Sequence, residues 1–197
     1  LEERDIMMNV ILTIAVAFVL TLILGKFLIP ALRALKAGQA IREDGPTWHN
    51  SKAGTPTMGG LMFMAAAAVC VVVFGFAGMK TGDFSALYGL LLALCFGLVG
   101  FLDDFFKVKY KRNLGLTSIQ KACLQMAVSA IFLYILYKEG IMSASLYIPF
   151  FNVSWQIHPL LYIFFAMFAF VGCVNAVNLT DGLDGLSSSV TVIVMVF

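Results

Sequence analysis

The chain has 197 residues, of which 61% are hydrophobic and 12% charged, with a formal net charge of +2 and a mean hydropathy of +0.95. Soluble domains carry roughly 45–50% apolar and about 25% charged residues, so too little charge is left to cover a water-facing surface. A soluble enzyme, a disordered chain and a fibrous repeat are excluded; the fold class that remains is an all-α polytopic membrane protein.

A membrane-crossing helix needs about 20 mainly apolar residues, because ~30 Å of hydrocarbon is crossed at ~1.5 Å per residue. Residues 6–29 meet this and are too long for a signal-peptide core, so they read as a retained first span. Residues 58–79, 84–102, 119–137 and 159–177 follow as spans two to five. A sixth apolar run starts at Leu186 and reaches only Phe197, ~18 Å of helix and too short to cross. The expectation is one transmembrane domain over 1–197, with about five complete spans and the start of a sixth, cut off within it. The cysteines Cys70, Cys95, Cys123 and Cys173 all fall in apolar stretches without a CxxC pair, which predicts buried free thiols.

The connections set the orientation. Lys26, Arg33, Lys36, Arg42 and Lys52 lie between or at the edges of spans one and two, and Lys107, Lys109, Lys111, Arg112 and Lys121 between spans three and four. These are ten of the thirteen basic residues; the positive-inside rule puts them in the cytoplasm and the N-terminus outside. Residues 178–185, after span five, then also face the cytoplasm. In the outer loop 138–158, aromatic and β-branched residues around Pro149 and Asn152 predict a small interfacial hairpin, with Tyr147 and Trp155 at headgroup level.

Four carboxylates lie against spans: Asp103 and Asp104 end span three, and Asp181 and Asp184 follow span five. Ionisable groups at membrane depth are costly and point to function. Adjacent aspartates repel and stay ionised only if a cation or nearby lysines compensate. Magnesium does so, taking carboxylate oxygens while keeping waters and substrate phosphates. Asp181 and Asp184 share one face if their segment is helical, and Gly182 and Gly185 let backbone come close to a ligand. A plainer reading makes Asp103-Asp104 a helix stop balanced by Lys107, and 178–185 a polar turn. Four carboxylates beside ten basic groups favour a phosphorylated substrate, held by lysine, arginine and magnesium. On the same side, the glycines, hydroxyls and Lys52 of 51–60 form a loop suited to an anionic or nucleoside ligand.

Gly54-Thr-Pro-Thr-Met-Gly-Gly60, Phe101-Leu-Asp-Asp-Phe-Phe-Lys107 and Asn175-Ala-Val-Asn-Leu-Thr-Asp-Gly-Leu-Asp-Gly185 occur in this order between spans. Together they resemble the signature segments of the polyprenyl-phosphate N-acetylhexosamine-1-phosphate transferases. The Thr-Met-Gly-Gly form of the first favours the phospho-N-acetylmuramoyl-pentapeptide transferase branch over the N-acetylglucosamine branch. The resemblance covers nearly the whole chain from span one onward. It implies about ten transmembrane helices, often as a homodimer in the lipid bilayer of the bacterial inner membrane, with a cytoplasmic cleft. It further implies Mg2+-dependent transfer of phospho-MurNAc-pentapeptide from UDP-MurNAc-pentapeptide to undecaprenyl phosphate, giving lipid I and UMP, the first membrane step of peptidoglycan synthesis. Nucleic acid has no part in it. The family's later third-aspartate segment and histidine-rich loop have no counterpart in this sequence. His49 and His158 match neither and read as interfacial histidines, and without the missing half the chain is expected to be inactive.

Carried over position by position, the resemblance makes Asp103 the base for the lipid phosphate and Asp104 a magnesium or substrate ligand. Asp181 falls near the metal and phosphates, so the implied metal set is Asp103, Asp104 and Asp181. Asn178, Leu183 and Asp184 match the uridine end of the donor, Lys52 and Thr57 its nucleoside side. Asn175 and Gly182 complete the substrate-binding set. Lys107, Lys111 and Lys121 match diphosphate or lipid-phosphate contacts, Lys121 being the best placed. One-step attack and a two-step route through an aspartate nucleophile both stay open. Two alternatives compete: a polyprenyl-phosphate GlcNAc-1-phosphate transferase using UDP-N-acetylglucosamine, and a cation-coupled transporter. Transporter sites usually lie near mid-bilayer on broken helices, whereas here the span interiors are free of charge.

Overall fold

The computed structural model describes residues 2–35, 56–110 and 115–196. They form helices and one hairpin, in two compact units, Leu1–Lys121 and Ala122–Phe197. Four helices are long and apolar enough to cross a membrane: Ile6–Ala34, Ser85–Tyr110, Ser118–Lys138 and Pro159–Thr180. They match predicted spans one, three, four and five, and with the shorter apolar helices they bear out the all-α polytopic class.

In the first unit, α1 (Glu2–Ala34) lies antiparallel to α2 (Gly60–Phe74). Close approach is possible because Gly25 faces Met62, where a methyl group would meet its sulfur at 3.2 Å. Further along, the Cys70 thiol donates to Thr13 O at 3.9 Å. Ala66 and Cys70, one turn apart, are the buried face of α2. Its other neighbour is α4 (Ser85–Tyr110), whose Gly97 leaves no room for a side chain beside Met64. Small residues at such crossings let dispersion hold helices together where lipid gives no hydrophobic drive.

Predicted span two is interrupted: α2 ends at Phe74 and a short α3 (Phe76–Lys80) follows. The joint is Gly75, whose N–H donates to Val71 O at 2.9 Å and whose carbonyl accepts from Met79 N–H at 3.0 Å. Gly75 keeps both of its own i→i−4 bonds, but α2 and α3 are each too short to cross a membrane alone. Asp83 Oδ1 accepts from Ser85 N–H at 3.0 Å at the start of α4. Ser85's hydroxyl and main-chain N–H hold that exposed carboxyl below its usual pKa.

α4 corrects the sequence reading, which ended span three at Leu102 with Asp103 and Asp104 as its stop. The helix continues to Tyr110 and carries both aspartates inside it. Apolar character ends at the expected place, but the hydrogen-bond ladder does not, because carboxylate and lysine one turn apart support a helix as well as apolar residues do.

α5 (Ser118–Lys138) starts from a reciprocal capping box. Thr117 Oγ1 accepts from Gln120 N–H at 3.2 Å, and Gln120 Oε1 accepts from Thr117 N–H at 3.0 Å. In the second unit α5 pairs antiparallel with α6 (Pro159–Thr180) through Phe132 and Phe170, rings 6.5 Å apart, and through Gln125 and Asn175. Between them stands the expected hairpin, β1 (Ser145–Ile148) antiparallel to β2 (Val153–Gln156), Ser145 opposite Gln156. Its turn uses Asn152 at φ +50°, and Tyr147 Oη donates to Asn152 Oδ1 at 2.8 Å. His158 caps α6, its Nδ1 accepting from Leu160 N–H at 3.3 Å, with Pro159 in the first turn. α7 (Leu186–Val196) is the sixth apolar run.

All four cysteines are free, but only Cys70 is buried; Cys95, Cys123 and Cys173 are exposed. The expectation of four buried thiols is thus corrected: an apolar helix need not be covered by protein on every face.

Candidate active site

Asp103 and Asp104 sit on α4 with Lys107 one turn further on. Lys107 Nζ lies 2.7 Å from Asp103 Oδ2 and 3.0 Å from Asp104 Oδ1, so one ammonium bridges both carboxylates. The two remaining oxygens take main-chain donors: Leu116 N–H reaches Asp103 Oδ1 at 2.8 Å, and Met58 N–H reaches Asp104 Oδ2 at 3.4 Å. Every carboxylate oxygen of the pair is therefore engaged. Two negative charges against one positive leave a net charge of −1 among these side chains, and Asp103 is only 8% exposed. Such a group attracts a further cation.

Two backbone features place these donors. Met58 adopts φ +64°, rare for a residue with a side chain, as the chain turns into α2. Gly115 packs against the Asp103 main-chain carbonyl so closely that any Cβ would collide with it. The turn carrying Leu116 leads straight into the Thr117 cap of α5, where Lys121 stands half-buried in the first turn. Of the sequence-predicted residues, the first unit thus brings Asp103, Asp104 and Lys107 into contact. Thr57 adjoins the Met58 donor, and Lys121 follows the Leu116 turn by five residues. Lys52 and Lys111 lie outside the described residues.

In the second unit, α6 stops at Thr180 and Asp181 is its C-cap, with Asp181 N–H donating to Val177 O at 3.1 Å. Gly182, Leu183 and Asp184 form an exposed turn, Leu186 N–H returns to Leu183 O at 3.2 Å, and Gly185 takes φ +81°. Asp181 and Asp184 are therefore not on one helical face: the chain leaves α6 at Asp181 with φ −79° and becomes left-handed only at Gly185, just before α7. Asn178 is exposed in the last turn of α6. Asn175 donates to Gln125 Oε1 at 2.7 Å and to Val171 O at 2.8 Å.

Sequence reasoning missed Met58, Gly115, Leu116 and Gln125. The Thr117-x-x-Gln120 box was the one local signal available, because main-chain donors leave no mark in residue type. Within neither unit do three or more His, Cys, Asp or Glu side chains gather as a metal-binding group among the described residues. The Asp103–Asp104 pair nonetheless has the donor chemistry Mg2+ uses, one or two carboxylates with substrate and water completing the shell.

Comparison with known proteins identifies the family. The family model described as glycosyl transferase family 4 matches residues 86–197, and signature 1 of phospho-N-acetylmuramoyl-pentapeptide-transferase matches 52–64. The phospho-N-acetylmuramoyl-pentapeptide-transferase of Clostridium acetobutylicum is 41% identical over 188 residues, 95% of this chain and 57% of that protein. That of Heliobacterium modesticaldum is 46% identical over 158 residues, 79% of this chain and 47% of its own. That of Clostridioides difficile is 45% identical over 185 residues, 94% and 56% respectively. The chain spans about half the length of the curated relatives it matches. The family match alone covers more than half of the chain, including Asp103, Asp104, Lys107 and the 175–185 segment: the chain belongs to glycosyl transferase family 4.

Proposed function

We propose that the chain is part of a phosphoglycosyl transferase that moves phospho-MurNAc-pentapeptide from UDP-MurNAc-pentapeptide to undecaprenyl phosphate, yielding lipid I and UMP. The observation that carries this reading is the Asp103–Asp104–Lys107 group, a pair of carboxylates and a lysine within a membrane-length helix, bearing net negative charge. The names of the relatives and the 52–64 signature support the muramoyl donor. The ten basic residues on one side support a site on the cytoplasmic face of the inner membrane.

Phosphoryl transfer of this kind asks for alignment and charge neutralisation more than covalent chemistry. Asp103, buried and next to Lys107, accepts the proton of the lipid phosphate and leaves an oxyanion free to attack. Lys107 exchanges carboxylate for phosphate partners as the substrates arrive, with Lys111 and Lys121 contributing further positive charge. Lys52, Thr57, Asn178, Gly182, Leu183 and Asp184 hold the uridine end of the donor. Asp103, Asp104 and Asp181 are the residues that would hold Mg2+, whose charge stabilises the leaving UMP when bound.

Release of UMP by the full-length protein in detergent, with undecaprenyl phosphate, tests the reading. Release with UDP-MurNAc-pentapeptide and Mg2+, lost on chelation, is expected. Release with UDP-N-acetylglucosamine instead moves the protein to the sister branch; release with neither donor refutes the enzyme reading.

A further inference from the structure

The second unit holds a polar bond for which the reaction above has no use. Gln125 on α5 is 1% exposed, and its Oε1 accepts from Asn175 Nδ2 on α6 at 2.7 Å. The other Asn175 amide proton goes to Val171 O at 2.8 Å, so both are spent within the protein. Ser129, fully buried one turn along α5, donates to the Gln125 main-chain carbonyl at 2.8 Å.

Among the described residues no member of α6 is buried, and Phe164, Phe165, Phe168 and Val177 all stand exposed along it. A helix apolar around its circumference gains no preferred rotation from apolar contact, since lipid is as apolar as its neighbours. A hydrogen bond between two amides does impose one, because an amide turned into hydrocarbon is left unsatisfied. Asn178 follows Asn175 by three residues on the same helix, and Asp181 ends that helix after three more. The rotation fixed at Asn175 is therefore passed through less than two turns of rigid helix to both.

We infer that Gln125 is a positioning residue for the nucleotide-sugar donor: through Asn175 it sets the rotation of α6, and with it the presentation of Asn178 and the 181–185 turn. This rests on the reading of that segment as the donor site. It also makes Asn175 an anchor of the site rather than a contact of the substrate.

Initial rates of UMP release by the full-length protein, with each substrate varied in turn, test this on Gln125→Met and on the exchange Gln125→Asn/Asn175→Gln. Methionine keeps the length but cannot accept from the amide, whereas the exchange restores the reach across the pair. Gln125→Met is expected to raise the donor KM about five-fold or more, with acceptor KM and kcat within about two-fold. The exchange is expected to return the donor KM to within about two-fold of wild type. An unchanged donor KM, an equal rise for both substrates, or an exchange no better than Gln125→Met overturns the inference. Should Gln125→Met fail to fold, Gln125→Asn alone, one methylene short, replaces it under the same criteria. A wild-type protein that releases no UMP from the muramoyl donor refutes the functional reading, and this inference with it.

Discussion

Lys107 is where stability and chemistry meet. It is the one side-chain cation bonded to Asp103 and Asp104 among the described residues, and its removal leaves two adjacent carboxylates uncompensated. Lys107→Met is expected to destabilise the protein by about 1.5–3 kcal/mol, the usual worth of a hydrogen bond to a charged group. Thermal unfolding in detergent checks this; an unchanged midpoint would remove Lys107 from its bridging role. Asp184→Ala is expected to weaken UDP-sugar binding about ten-fold, or ~1.4 kcal/mol, and to leave acceptor binding alone, as titration with each ligand would read. An unaltered donor affinity would detach Asp184 from the nucleoside. At this scale the acidic pair and its lysine were legible, because charge beside an apolar span stands out. Their main-chain partners were not: Met58 is 46 residues from Asp104, and an N–H group is common to nearly every residue.

Helix boundaries divide along the same line. Hydropathy located four membrane-length helices, since the apolar requirement is set by bilayer thickness. It misjudged the end of α4 by eight residues, because hydrogen bonding continues where apolar character stops. It also missed the start signal of α5, a hydroxyl and an amide answering each other three residues apart. Thr117→Ala removes one half of that box and is expected to cost about 1 kcal/mol. The loss should appear as a lower unfolding midpoint that Thr117→Ser largely recovers; equal midpoints for the alanine and serine variants would contradict the cap. Gly115→Ala is expected to cost more than about 1 kcal/mol, since the added methyl meets the Asp103 carbonyl and the turn carrying Leu116 must open. The hairpin was legible because Pro149 and Asn152 are turn residues among aromatic and β-branched ones, and Asn tolerates the left-handed conformation it takes there.

For the molecule as a whole, the proposed orientation rests on charge asymmetry, which favours the hairpin outside and the 181–185 turn inside. On a background freed of the four native cysteines, a cysteine at position 152 should react with a membrane-impermeant thiol reagent in intact cells, and one at 184 only after lysis. The reverse pattern would invert the topology and put the site on the wrong side for a nucleotide donor. Sequence also grouped Asp181 with Asp103 and Asp104 as metal ligands, on the strength of family resemblance rather than local pattern. In this fold the three belong to two separately compact units, and their common role remains part of the proposal. Asp103 is proposed as the base of a phosphoglycosyl transfer. Lipid I formation by full-length wild-type and Asp103→Asn proteins, with Mg2+ and both substrates, tests it most directly. The variant is expected to stay folded and membrane-inserted while kcat falls about 10²–10⁴-fold; a folded variant that turns over at nearly the wild-type rate would remove Asp103 from the base role.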